Sequence, residues 1–90
     1  MSTTPSQDDI LAAIRDELIE IKVPGAQDAG PDSTWADLDV DSLDLVEVVK
    51  ALEDRYEVQI ADGRLKGIES VGDAIALVQE LVTEREGARA

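Results

Sequence analysis

The chain has 90 residues, of which 21 are acidic and 8 basic, giving a formal net charge of −13 and a pI near 4.1. That length makes one small domain with room for a single core, too small to enclose a substrate deeply and remain stable alone. The charge excludes nucleic acid or anionic lipid as partners held by simple attraction, and directs expectation to basic proteins.

The chain has no cysteine and no histidine. Disulfides, thiolate nucleophiles and zinc–thiolate sites are therefore excluded, and the commonest general base is missing. Carboxylates, Lys22, Lys50, Lys66, Tyr56 and hydroxyls are what remains for chemistry, so intrinsic catalysis is not expected. No apolar run reaches the length of a membrane span, and the N-terminus lacks the basic start and apolar core of a secretory signal, which implies a cytoplasmic protein. Low aromatic content with high charge also describes disordered chains, but the hydrophobic periodicity decides for a fold.

Ile10, Leu11, Ile14, Leu18 and Ile21 recur at helical spacing behind a capping arrangement of Ser6 and Asp9, predicting an amphipathic helix over residues 7–21 that ends at Pro24 and Gly25. Residues 23–40 contain Pro24, Gly25, Gly30, Pro31 and several aspartates, the pattern of a long structureless connection. Loops of this length are uncommon in compact domains, and Trp35 and Leu38 are the residues expected to pin this one to the core.

A second helix is predicted from Ser42 to Tyr56, with either Asp41 or Ser42 as its N-cap. Leu45, Val48, Val49, Leu52 and Tyr56 follow the spacing of a buried face. Leu43 and Val46 fall on the opposite side with Asp44, Glu47 and Lys50, and apolar residues among exposed carboxylates have the character of a docking surface. Residues 28–62 hold eleven acids against two bases, Lys50 and Arg55, so they carry nine of the thirteen net negative charges. Such a field suits the steering of basic partners toward the helix start. Asp44, Val46, Glu47, Glu53 and Asp54 are the candidate contacts, which should be weak and sensitive to salt.

Val58 and Ile60 form a short apolar stretch that packs as a loop or pairs as a strand. Residues 61–68, with Gly63 and Gly67 around Arg64, Leu65 and Lys66, allow one short helical turn. Val71, Ala74, Ile75, Val78, Leu81 and Val82 mark a last helix over residues 70–85, and residues 1–6 and 86–90 are expected to be flexible tails. The predicted fold class is all-α: one domain over residues 1–90, a small four-helix bundle of three main helices and one short one, with a long first loop.

The run from Trp35 to Val49, centred on Asp41-Ser42-Leu43-Asp44, resembles the attachment region of acyl carrier proteins, and the likeness extends over nearly the whole chain to Val71-Gly72-Asp73-Ala74. The version Asp37-Leu38-Asp39-Val40-Asp41-Ser42-Leu43 is most similar to the actinobacterial branch. The resemblance implies that a phosphopantetheinyl transferase moves 4′-phosphopantetheine from coenzyme A to the Ser42 hydroxyl using Mg²⁺, with Asp41 and Leu43 flanking the attachment. It implies acyl groups held as thioesters on the arm's thiol, growing chains sheltered among Val48, Leu52, Ile68 and Ile75, and a monomer that visits ketosynthase, acyltransferase and other synthase enzymes of fatty acid or type II polyketide biosynthesis. The imported thiol also accounts for the missing cysteine.

The chain departs from the family pattern in three places. Asp39 replaces a glycine frequent three positions before the serine, Ala61 stands where proline is frequent, and Arg64 and Lys66 make the third-helix region less acidic. Other readings meet specific obstacles. Asp37-x-Asp39-x-Asp41 imitates an EF-hand loop, but Ser42 and Val48 stand where the glycine and the bidentate glutamate belong. A peptidyl or aminoacyl carrier would have paired glycines where Asp39 and Val40 stand. An acidic helical adaptor without any arm differs from a carrier only in the modification of Ser42.

Overall fold

A computed structural model describes residues 5–89. Among these residues four α-helices follow one another: α1 (Gln7–Glu20), α2 (Ser42–Tyr56), α3 (Asp62–Leu65) and α4 (Val71–Arg89), with a 3-10 turn at Ala26–Asp28. Helix α1 packs on both α2 and α4, and α2 also meets α4. Between them lies one core, with Ile10, Ile14, Leu18, Val48, Leu52, Val71, Ile75 and Val78 almost wholly excluded from solvent. Every buried residue among those described is hydrophobic. None of the described helices is long and apolar enough to cross a membrane.

Helix α1 starts as its sequence predicts, with the Ser6 hydroxyl accepting from the Asp9 N–H at 3.1 Å. It ends earlier than Pro24 and Gly25. Lys22 adopts φ +63°, and the Val23 and Lys22 N–H groups turn back to the Leu18 and Ile19 carbonyls at 2.9 and 3.0 Å, a Schellman-type closure made without glycine. Helix α2 closes the same way, with Glu57 at φ +54° and the Val58 N–H reaching the Glu53 carbonyl at 3.2 Å. Helix α4 begins one residue later than expected, where the Ser70 hydroxyl accepts from the Asp73 N–H and an Asp73 carboxylate oxygen accepts from the Glu69 N–H, both at 3.1 Å. It continues to Arg89, beyond the boundary at residue 85.

Residues 23–40 are not structureless. Besides the 3-10 turn, Thr34 makes an isolated antiparallel bridge to Ser70, and the Trp35 N–H donates to the Glu69 carbonyl at 3.2 Å. The Val71 and Gly72 N–H groups bond the Ser33 and Pro31 carbonyls, each at 2.8 Å. This order has a physical cause. Ala26, Ala29, Trp35 and Leu38 are buried, and a loop that enters the core must pair the backbone groups it takes from water. Trp35 is 5% exposed and anchors the connection as its sequence position suggests. Val58 and Ile60 are likewise buried, in a loop rather than a strand.

The expected tails at residues 1–4 and 90 lie outside the described residues. Pro5 and Ser6 are tied down instead, since Gln79 Nε2 donates to the Pro5 carbonyl at 3.2 Å and Ser6 caps α1.

Candidate functional site

The long connection delivers the chain to the start of α2 in a fixed way. Thr34 and Ala36 carbonyls accept from the Leu38 and Asp39 N–H groups, and the Val40 N–H returns to the Trp35 carbonyl at 2.9 Å. Asp39 sits in this turn at φ +62°. Left-handed backbone favours glycine, with aspartate among the residues that tolerate it best, so the glycine-to-aspartate departure read from the sequence falls at a position with a conformational reason for either residue.

Asp41 then takes the N-cap, with extended backbone, and its Oδ1 accepts from the Asp44 N–H at 2.9 Å. Ser42 is the first helical residue. It is exposed, and no hydrogen bond engages its hydroxyl among the described residues. Because the neighbouring carboxylate does the capping, the hydroxyl is left available to a reagent from solvent. The helix behind it has 15 residues, and its first N–H groups and macrodipole favour an anion at this end.

The remaining predicted residues divide into groups. Leu43 is 77% and Val46 40% exposed, so both stand off the buried face of α2 as their spacing predicts. Glu47 and Asp54 are exposed, and Asp44 is half-buried. Glu47, Glu53 and Asp54 line a groove of about 410 Å³ with Glu17, Lys50 and Ala51. Glu53 has a second engagement, since its Oε2 accepts from the Ile60 N–H at 2.8 Å. It fixes the segment after α2 as well as carrying charge on the groove.

Sequence reasoning did not single out Glu17, which sits on α1. Burial, together with Glu20 and Glu47, holds its carboxyl above the ordinary 4.5. It also did not place Leu65 and Lys66 beside Ser42, although these three line one groove of about 330 Å³ with Leu45 and Val46. The basic character of residues 64–66 was visible, but only tertiary packing sets it opposite the start of α2. Val48, Leu52, Ile68 and Ile75 all lie in the closed core, none more than 6% exposed.

These features fit an attached phosphodiester arm. The hydroxyl is open, it stands at an anion-favouring helix end, and a largely apolar groove adjoins it. With no histidine or cysteine in the chain, the site has no conventional partner to activate Ser42 from within, so modification by another enzyme suits it.

Comparison with known proteins agrees with this geometry. The family profile described as "Phosphopantetheine attachment site" matches residues 9–78. The chain is 36% identical over 86 residues to the meromycolate extension acyl carrier protein of Mycolicibacterium aurum, covering 94% of this chain and 89% of the relative. It is 36% identical to an acyl carrier protein of Rhodococcus erythropolis, covering 94% and 92% of the two chains. An acyl carrier protein of Acidothermus cellulolyticus is 38% identical over 71 residues, with 78% and 84% covered. The open helix-start serine, the four-helix architecture, the matched profile and these relatives together show that the chain belongs to the acyl carrier protein family, of actinobacterial type, and takes 4′-phosphopantetheine as its prosthetic group.

Proposed function

We propose that Ser42 receives the 4′-phosphopantetheine arm and that the protein acts as a non-catalytic, cytoplasmic monomer carrying acyl intermediates between the enzymes of a fatty-acid-type synthase. The observation that carries this reading is the division of labour at the start of α2, where Asp41 caps the helix and Ser42 is left exposed with its hydroxyl unengaged. Asp41 holds the backbone at the attachment point. Leu43, exposed beside it, offers an apolar contact to the transferase.

When bound, the arm supplies a terminal thiol that holds acyl groups as thioesters. The chain's own residues set where that thiol can go and which partners approach. Asp44, Val46, Glu47, Glu53 and Asp54 present negative charge and one apolar side chain to phosphopantetheinyl transferase, ketosynthase and acyltransferase surfaces of basic character. Relatives named for meromycolate extension favour long-chain fatty acid extension over a type II polyketide pathway.

Intact mass after incubation with coenzyme A, Mg²⁺ and a broad-specificity phosphopantetheinyl transferase tests the assignment, with Ser42→Ala alongside. The parent should gain one phosphopantetheinyl mass and the variant none. Absence of any gain in folded parent protein would remove the carrier assignment and leave an acidic helical adaptor.

A further inference from the structure

The groove beside Ser42 has a cation on its wall. Ser42, Leu45 and Val46 from α2 face Leu65 from α3 and Lys66, the residue that ends α3. Lys66 is exposed, and its ammonium has no ion pair or hydrogen bond among the described residues. Three of the chain's other cations are committed elsewhere. Arg64 pairs with Glu80 at 2.8 Å, Arg85 donates to the Tyr56 and Glu57 carbonyls at 2.8 and 2.9 Å, and Arg15 donates to the Ala29 carbonyl at 2.7 Å. In a chain with 21 acids and 8 bases, a cation without a carboxylate partner, sharing an otherwise apolar groove with a modifiable hydroxyl, calls for an anion attached to an apolar body.

We propose that Lys66 is the intramolecular counter-charge of the phosphodiester on Ser42, and that Leu45, Val46 and Leu65 seat the geminal methyl groups that follow the phosphate in the arm. This rests on the reading of Ser42 as the attachment point. A phosphodiester carries a full negative charge at neutral pH, and a single methylene separates its ester oxygen from the carbon bearing those two methyls. One short stretch of the arm thus matches both the cation and the apolar lining. The volume, about 330 Å³, lies at the small end of ligand sites, suited to the base of the arm and not to the whole of it with an acyl chain. Lys66 acts as a positioning residue. It draws the root of the arm toward α3, so the thiol departs from a preferred direction, and the exposed pair exchanges readily when a partner offers its own cation to the phosphate.

The test uses the full chain loaded by the transferase, as the parent and as Lys66→Ala, Lys66→Arg and Lys66→Glu, each confirmed by intact mass and by a dispersed amide spectrum. Nuclear Overhauser contacts between the arm's geminal methyls and the Leu45, Val46 and Leu65 methyls report docking independently of any enzymatic rate. At low salt the parent and Lys66→Arg should show these contacts. Lys66→Ala should lower the docked-to-free ratio about fivefold, the most an exposed pair usually supplies, and Lys66→Glu should abolish it. Salt at about 0.5 M should bring the parent close to Lys66→Ala. Equal contacts in all four proteins, or none in the loaded parent, would overturn the role of Lys66 while leaving the arm on Ser42. Failure of every protein to gain the arm's mass would overturn the attachment reading itself, and this inference with it.

Discussion

Gly72→Ala tests how the long connection is held against the last helix. A Cβ built on Gly72 stands 2.7 Å from the Pro31 carbonyl oxygen and 3.5 Å from its carbon. The obstacle is backbone, and it is pinned. Gly72 N–H and Val71 N–H bond the Pro31 and Ser33 carbonyls at 2.8 Å, and the Trp35 N–H bonds Glu69 a few residues on. A methyl group fits only if the loop retreats, which loosens the first two bonds. Each is worth about 0.5–1.5 kcal/mol net, so their loss removes about 1–3 kcal/mol, a figure that overlaps the usual cost of overpacking. Against this stands the helix preference of alanine over glycine, about 0.8–1 kcal/mol in a helix interior and less in a first turn. The balance is a destabilisation of about 1–2 kcal/mol, each kcal/mol lowering Tm by about 4–8 °C in a domain of this size. Urea and thermal unfolding followed by circular dichroism measure it. Gly63→Ala serves as comparison, since a Cβ there meets nothing within 4 Å and should be neutral or stabilise by up to about 1 kcal/mol. If Gly72→Ala proves as stable as the parent, the loop yields freely and the reasoning from backbone contact is wrong.

Asp41→Ala should cost about 0.5–2 kcal/mol in unfolding free energy through loss of the cap on α2, with Asp41→Asn keeping most of it. Trp35→Phe should lie within about 1 kcal/mol of the parent, because the buried indole Nε1 has no acceptor among the described residues and its removal offsets the smaller ring, whereas Trp35→Ala should cost about 3–5 kcal/mol; equal losses in the two would contradict this. Glu17→Gln should raise the urea midpoint at pH 7 and not below pH 4.5, since a carboxyl whose folded value is raised penalises the fold only where it is ionised; a gain of the same size at both pH values would contradict this. Glu47→Lys with Asp54→Lys should slow transferase and ketosynthase turnover at low salt with little change in Tm, and high salt should narrow the difference; unchanged rates at low salt would show that this face does not recruit partners.

The bounds of helix α2 were legible, because an apolar stripe, an acidic start and exposed Leu43 and Val46 are all local patterns. Of the five residues expected on its buried face, however, only Val48, Val49 and Leu52 are buried, while Leu45 and Tyr56 at its two ends are half-buried. The choice of Asp41 over Ser42 as the cap came only with the structure. The end of α1 was not legible, since a lysine in left-handed backbone at Lys22 closes the helix through geometry that composition does not signal, and the visible breakers Pro24 and Gly25 come after it. The order of residues 23–40 depends on bonds to residues 69–72, far off in the chain and absent from any local period. The same holds for the site. Ser42 announces itself through its flanking residues, but the second job of Glu53 at the Ile60 N–H and the placement of Lys66 across the groove exist only once α3 has folded back beside α2.

The charge of the chain and its stability are nearly separate properties, and this makes the function testable by substitution. The buried residues among those described are all apolar, so no carboxylate there has been taken fully from water and none requires a buried counter-charge. The described acids instead lie at or near the surface, with Glu17, Asp44 and Glu53 half-buried there, and repulsion over more than about 8 Å is screened at physiological ionic strength. A fold built this way tolerates reversal of an exposed charge such as Glu47 or Asp54, because what is lost is field and not packing. Partners respond to that field, and the core does not. A slowed partner reaction with an unchanged melting curve therefore reads recognition directly, whereas in a protein stabilised by buried ion pairs the same substitution would confound recognition with unfolding.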